Sequence, residues 1–283
     1  MNNIHAFSVV HPAAKIGENV QIGPFCYIDR DVVIGDNTWI GAHVTIFDGA
    51  RIGKGCQIFP GAVISGIPQD LKFKGEKTTT KIGDFTTIRE YVTINRGTSY
   101  ANTTIVGSHC LLMAYVHVAH DCVLGDHVIL ANNVNLAGHV SIEDWAILEG
   151  LVAVQQFIRI GEHSFVAGGS LVRKHVPPFV KAAREPLSYA GVNVIGLQRR
   201  GFSPEQINHI QDIYRILFVK GYKVSNAVEI IEQEIPPSGE RERITSFVRN
   251  ATDSKKEVGI MKGFRQINGS KVESGERGVS DED

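Results

Sequence analysis

The chain has 283 residues, a formal net charge of −1 and a pI near 6.8, a balance with no nucleic-acid footprint. Its apolar runs fall short of the roughly 18 residues of a membrane span. Residues 1–12 lack the basic and then apolar segments of a signal peptide, so a cytoplasmic protein is expected.

From the N-terminus, an aliphatic residue recurs every six positions: Ile4, Val10, Ile16, Ile22, Ile28 and onward in one register to Val172. Of the 29 positions on this beat, 26 are Ile, Val or Leu, and only Asp70, Glu76 and Tyr100 break it. Neither a helical period of 3.6 nor a strand period of 2 produces this pattern, whereas a parallel β-helix does. Three hexads would make one coil of 18 residues, stacking like on like at a strand spacing of roughly 4.8 Å. Glycine often follows the beat (Gly17, Gly35, Gly53, Gly107), which suggests a corner of positive φ. Two residues before the beat lie small or β-branched residues such as Ala14, Val20 and Cys26, as a narrow interior requires. All four cysteines (Cys26, Cys56, Cys110, Cys122) occupy that slot and read as reduced core fillers rather than disulfides or metal ligands.

Two excursions, residues 66–80 and 97–104, leave the coil and return in register, which marks them as candidate functional loops. Beyond Val172, Pro177-Pro178 end the regular coil. Ser203-Pro204-Glu205-Gln206 reads as a capped helix start, followed by an apolar stripe at Ile207, Ile210, Tyr214, Leu217 and Phe218 that stops at Gly221. Further helices are expected over residues 226–234 and 240–249. The sequence therefore divides into a β-helix over residues 1–186, a helical unit over 187–258 that caps the last coil, and a disordered tail over 259–283.

Six histidines (His43, His109, His127, His139, His163, His175) share the slot three after the beat and read as exposed corners. His117 and His120 stand alone in their slots. Steps of 18 from His120 reach Gly138 and Gln156, so these three should line one edge, amid Asn132, Asn133, Asn135, His139 and Gln155. An imidazole base one coil from a glycine N–H suits acyl transfer. Solvated edge residues, or a metal held by His117, His120 and His139, are the alternatives.

The segments IGPFC (22–26), PQDLKF (68–73), IREYVTINRGT (88–98), HVAHDC (117–122), ILANNVNLAGHV (129–140), VPPFV (176–180) and GVNVIGLQRRGFS (191–203) carry a resemblance. The chain resembles the hexapeptide acyltransferases and, among them, the UDP-N-acetylglucosamine O-acyltransferase family, over about residues 4–258. The resemblance implies a mainly β fold, a left-handed parallel β-helix of hexapeptide repeats with a small C-terminal helical domain, assembled as a homotrimer with active sites between subunits. It implies direct transfer of a long 3-hydroxyacyl chain from acyl carrier protein to the sugar 3-hydroxyl, the first step of lipid A synthesis, with no cofactor and no metal. It gives His120 the role of general base, Asp121 that of its orienting partner, and Gly138 that of oxyanion donor. His117, His139 and Gln156 fall at substrate-pocket positions, Asp70 and Lys72 at sugar and phosphate contacts, and Asn193 and Arg200 at nucleotide contacts. Gly168 falls where a bulky residue would shorten the accepted acyl chain.

An acidic carrier protein suits the basic stretch 172–201, where Arg173, Lys174 and Arg199 are the docking candidates. The chain departs from the family pattern at Gln155-Gln156 and at Val194-Ile195. The rival readings are an N-acyltransferase acting on a related UDP-amino sugar, an acetyl-CoA-dependent acetyltransferase, a zinc lyase of the γ-carbonic anhydrase type, and a purely structural coil.

Overall fold

The computed structural model describes residues 1–252 and 258–263; the predicted tail beyond residue 263 lies outside them. Each hexad contributes a two- to four-residue strand, and the strands stack into three parallel sheets, the faces of a triangular prism. The first face runs from Asn3–Ile4, the second from Val9–Val10 and the third from Lys15–Ile16. Asn3 pairs with Gln21, Tyr27 with Thr45 and Ile34 with Ile52, each eighteen residues on. The aliphatics on the beat point inward and are almost wholly buried from Ile22 to Val172, while Ile4 of the first coil remains exposed.

The broken beats count the excursions. Ile52 pairs with Ile82, thirty residues away instead of eighteen, so the first excursion inserts two hexads' length, matching the lapses at Asp70 and Glu76. Ile82 pairs with Val106, twenty-four away, so the second inserts one, matching Tyr100. Both excursions leave the second face and rejoin the third, so both emerge from the same edge.

The corner geometry differs from the expectation. Positive φ falls three after the beat, at Asn19, Phe25, Asn37, His43, His109 and His139 among others, and not at the glycines that follow the beat. Those glycines answer a different constraint. A Cβ on Gly35 would lie 2.6 Å from the carbonyl carbon of Gly53 in the next coil, so side chains are excluded by close approach of backbones. The corner histidines are likewise not simply exposed. On the edge between the third and first faces, His109, His127, Trp145, His163 and Phe179 form one stacked column, and His163 and His175 are buried. Stacking offsets the strain of left-handed backbone in non-glycine residues.

The four cysteines are free and buried, and burial pushes the Cys56 and Cys110 thiols up to about 11, which leaves them inert. At the C-terminal end the prism changes register. Phe165 pairs with Lys181, sixteen residues on, and Val180–Ala183 then pairs antiparallel with Ser188–Val192. The strand Ser188–Val192 therefore belongs to the coil's first face, although the sequence division placed it in the helical unit.

Helices follow: α1 (Val194–Arg199), α2 (Pro204–Tyr214) continuing into a π-helical turn (Arg215–Val219), α3 (Val224–Glu234) and α4 (Gly239–Thr252). The Ser203 capping box forms as its sequence predicts, and Gly221 follows the stop of the run with φ +80°. Helix α1 and the π-helical turn were not foreseen.

Residues 259–263 correct the expected tail. Ile260 and Met261 are buried, and Lys262–Gly263 adds a parallel strand to Ser188–Val192. The apolar pair supplies the burial that a charge-based reading of the terminus overlooks. His175 clamps this strap: its N–H donates to Gly259 O (3.0 Å), its carbonyl accepts from Met261 N (2.9 Å), and its Nδ1 accepts from Arg159 N (2.9 Å).

Burial, with Arg200 beside His163 and Arg159 beside His175, pushes both imidazoles down to about 4 from an ordinary 6.5. Between those values the unfolded chain binds protons that the folded chain rejects. The contribution of these two groups to stability is therefore full above about pH 6.5 and is lost as the pH drops towards 4. Chemical denaturation across this window should show that slope in the wild type and a shallower one in His175→Gln. Identical slopes would contradict the assignment.

Candidate active site

The sequence places His117 and Val118 in a strand of the second face, and the chain turns at residues 119–122 before joining the third face at Val123–Leu124. His120 and Asp121 lie in that turn, on the edge from which both excursions emerge. The ladder fixes what stacks above them. His117 pairs with Asn135 and Asn135 with Ala153, His139 N donates to His120 O (3.1 Å), and Phe157 N donates to Gly138 O (3.2 Å). Steps of eighteen thus do bring His120, Gly138 and Gln156 to one edge.

Gly138 lies directly against the imidazole. A Cβ there would sit 2.6 Å from His120 Cε1 and 2.7 Å from Nε2, so only glycine admits the ring. The coil's ladder uses the N–H groups of Ala137 and His139 and passes over that of Gly138.

Asp121 is buried and takes the left-handed corner conformation (φ +58°). Its carboxylate accepts four hydrogen bonds. Thr98 N (3.0 Å) and Ala101 N (3.2 Å) reach Oδ1, while Thr98 Oγ1 (2.6 Å) and His120 Nδ1 (2.9 Å) reach Oδ2. Burial opposes the charged form, but the bonds from Thr98 and His120, with His139 Nδ1 at 3.8 Å, hold the carboxyl below its ordinary range. An ionised carboxylate can only accept, so His120 carries a proton on Nδ1, and the neutral ring presents a bare Nε2 beside Gly138.

His139 is wedged between Phe157 (centroids 4.3 Å, parallel) and the edge of Tyr100 (4.5 Å). His117 lies 2.7 Å from Thr93 Oγ1, and burial followed by the nearby His120 lowers its pKa, which favours a neutral ring.

Ligand atoms of His120, Asp121 and His139 lie within 4.8 Å of one another, close enough to consider a metal. The four donors already fill the carboxylate's acceptor sites, so the geometry is that of a hydrogen-bonded pair rather than of a metal centre.

The remaining predicted residues divide among three edges. Asp70 and Lys72 lie in the first excursion, on His120's edge, where Asp70 Oδ1 accepts from Lys72 N (2.9 Å). Arg173 and Lys174 follow further along that edge. Arg173 pairs with Glu185 at 3.9 Å, and the Lys174 ammonium donates to Val258 O. Asn193 and Arg200 belong instead to the edge between the third and first faces. Asn193 is buried, donates from Nδ2 to His163 O (2.9 Å) and caps α1 through Oδ1, while the Arg200 guanidinium lies 5.3 Å over Trp145. Gly168 lies on the third edge, between the first and second faces, and its N–H donates to Glu149 (3.1 Å). Arg199 is exposed on α1. The sequence reading missed Thr98, Tyr100, Ala101 and Phe157; the lapse of the beat at Tyr100 was the available signal.

Comparison with known proteins agrees with this geometry. Residues 175–261 match the model described as UDP N-acetylglucosamine O-acyltransferase, domain 2, and residues 31–66 and 103–138 match the bacterial transferase hexapeptide. The acyl-[acyl-carrier-protein]–UDP-N-acetylglucosamine O-acyltransferase of Chlorobaculum parvum is 50% identical over 257 residues, covering 90% of this chain and 97% of that one. The chain belongs to the UDP-N-acetylglucosamine O-acyltransferase family. Among solved structures, the UDP-N-acetylglucosamine acyltransferase of Bacteroides fragilis superposes with a TM-score of 0.89 at 50% identity, covering 92% of this chain and all of that one. The Acinetobacter baumannii enzyme superposes at 0.87 with 39% identity, covering 92% and 99%. The coil is accordingly the left-handed parallel β-helix of this family, and the protein is an acyltransferase.

The contact between Gly138 and the His120 ring yields a test. Gly138→Ala should preserve the coil's circular dichroism yet displace the imidazole and lower turnover by about a hundredfold, the scale expected for a misplacement near 1 Å. Wild-type turnover in that variant would contradict the packing.

Proposed function

We propose that the chain transfers a long 3-hydroxyacyl group from acyl carrier protein to the 3-hydroxyl of UDP-N-acetylglucosamine, the first step of lipid A synthesis, with His120 as general base. The observation that carries this reading is the His120–Asp121 pair, its Nε2 placed beside Gly138, a residue whose N–H the ladder leaves unused. The identity to curated acyltransferases over nine-tenths of the chain supports the substrates.

A sugar hydroxyl is a weak nucleophile at neutral pH. Nε2 removes its proton as the oxygen attacks the thioester carbonyl, and Asp121 stabilises the imidazolium that forms. The tetrahedral oxyanion lies within reach of Gly138 N–H. On collapse the thiolate of the carrier's thioester departs and takes the proton back from Nε2, leaving the ester. No acyl-enzyme is required. The base contributes about 10²–10⁴ and one oxyanion donor about 10²–10³ in rate.

The division of the site among three edges supports a homotrimer. His120, Asp70 and Lys72 share one edge of the prism, Asn193 and Arg200 occupy a second and Gly168 a third. One protomer cannot bring these edges together; two adjacent protomers can, one offering His120's edge and the other its first face, which the remaining two edges border. In the groove between them the sugar lies by the excursion, the nucleotide by the helical unit and the acyl chain by Gly168. Arg173 and Lys174 lie three coils beyond His120 on its own edge, roughly 14 Å along the axis, where they offer an acidic carrier protein a basic landing, and Arg199 adds an exposed charge on α1. Among the described residues no helix is long and apolar enough to cross a membrane, and a soluble carrier and reduced thiols suit the cytoplasm.

In an assay with UDP-N-acetylglucosamine and a panel of 3-hydroxyacyl carrier proteins, with product masses read directly, His120→Ala should lose about 10²–10⁴ of the rate while assembling as the wild type does. Full activity would overturn the base assignment. In the same assay Gly168→Met should shift preference to shorter donors, and an unchanged product profile would overturn the ruler.

A further inference from the structure

We propose that Thr98, carried by the second excursion, is a positioning residue that sets the proton affinity of the His120–Asp121 pair; this rests on the reading of His120 as base. The excursion inserts one hexad's length between the second and third faces and places Thr98, Tyr100 and Ala101 around Asp121. Thr98 is buried, and its hydroxyl has a single proton. Thr98 Oγ1 accepts from Tyr100 N (3.2 Å), which orients its proton toward Asp121 Oδ2 (2.6 Å). That same oxygen accepts His120 Nδ1 (2.9 Å).

The hydroxyl and the imidazole therefore share one carboxylate oxygen. While Thr98 donates, part of the charge on Oδ2 is neutralised, which lowers the proton affinity of the pair and keeps His120 deprotonated to lower pH. The bond also fixes the carboxylate plane that aims the ring. Removing the donor concentrates charge on Oδ2, so both the carboxylate and the imidazolium it supports hold their proton to higher pH.

The titratable groups around the pair come from every packed element. His120 and His139 face Asp121, Cys122 is buried beside it, and His117 lies near His120. Tyr100 packs against His139, and Glu76 of the first excursion reaches Ser99. Residues 97–104 carry no charged side chain, so the hydroxyl and two backbone N–H groups are what the excursion brings to Asp121.

The test is the pH profile of kcat/KM for Thr98→Val, which keeps the shape and the backbone N–H but loses the proton. The acid limb should move up by about one pH unit, the scale of a hydrogen bond to a charged group. The plateau kcat should fall roughly tenfold, with KM for UDP-N-acetylglucosamine unchanged. Thr98→Ser should restore both limb and plateau. If Thr98→Val does not assemble, Thr98→Ala carries the same expectation. A donor-less variant whose acid limb coincides with the wild type overturns the proposal, because a merely structural role lowers activity without moving the limb. His120→Ala in parallel separates the two failures. Full activity there removes the base itself, whereas an inactive His120→Ala beside an unshifted Thr98 variant removes only the role of Thr98.

Discussion

The inter-coil hydrogen-bond ladder places His120, Asp121 and Gly138 on one edge. His117 N donates to Val134 O and Asn135 N to Val152 O, both at 2.9 Å, and each bond locks one coil to the next. A slip of one residue would turn the buried aliphatics outward and the edge residues inward. Register is therefore over-determined by the core, and the edge inherits that rigidity without needing contacts of its own. Gly138 and Gln156 come to His120's edge because the ladder leaves them nowhere else to lie. Such a scaffold suits a reaction whose catalysis depends on holding one nitrogen and one N–H at fixed separation.

The excursions show how chemistry is added without disturbing that frame. Each inserts whole hexads' length, so the coil resumes in phase, and each leaves the prism at His120's edge. The first carries Asp70 and Lys72 on that edge. The second closes over Asp121, whose carboxylate it supplies with three of its four donors. A buried carboxylate would otherwise gain a proton; with these donors it remains ionised and fixes the tautomer of its neighbour.

Much of this was legible in the sequence because period and burial are coupled. The beat gave the coil, the eighteen-residue step gave the shared edge of His120, Gly138 and Gln156, and the two isolated histidines stood out against the slot their fellows share. The glycine slot was located correctly but explained by the wrong cause. Periodicity marks where a side chain is forbidden, yet it does not distinguish positive φ from a close backbone, and Gly35 is the second case. The corner histidines misled for a related reason: stacking of His127 on Trp145 and of His163 on Phe179 depends on contacts between coils, which a single hexad does not reveal. Thr98 was hidden because its partner lies twenty-three residues away through a segment that has left the repeat. The strap at Ile260 and Met261 was hidden by the charged residues that follow it.

The central claim is that an ionised Asp121 fixes the proton of His120 on Nδ1 and leaves Nε2 bare against Gly138. Nitrogen-15 NMR of the imidazole of His120 in selectively labelled protein at neutral pH measures this directly. The account predicts a protonated Nδ1 and an unprotonated Nε2 in a neutral ring. A ring protonated on Nε2, with Nδ1 bare toward the carboxylate, would contradict it.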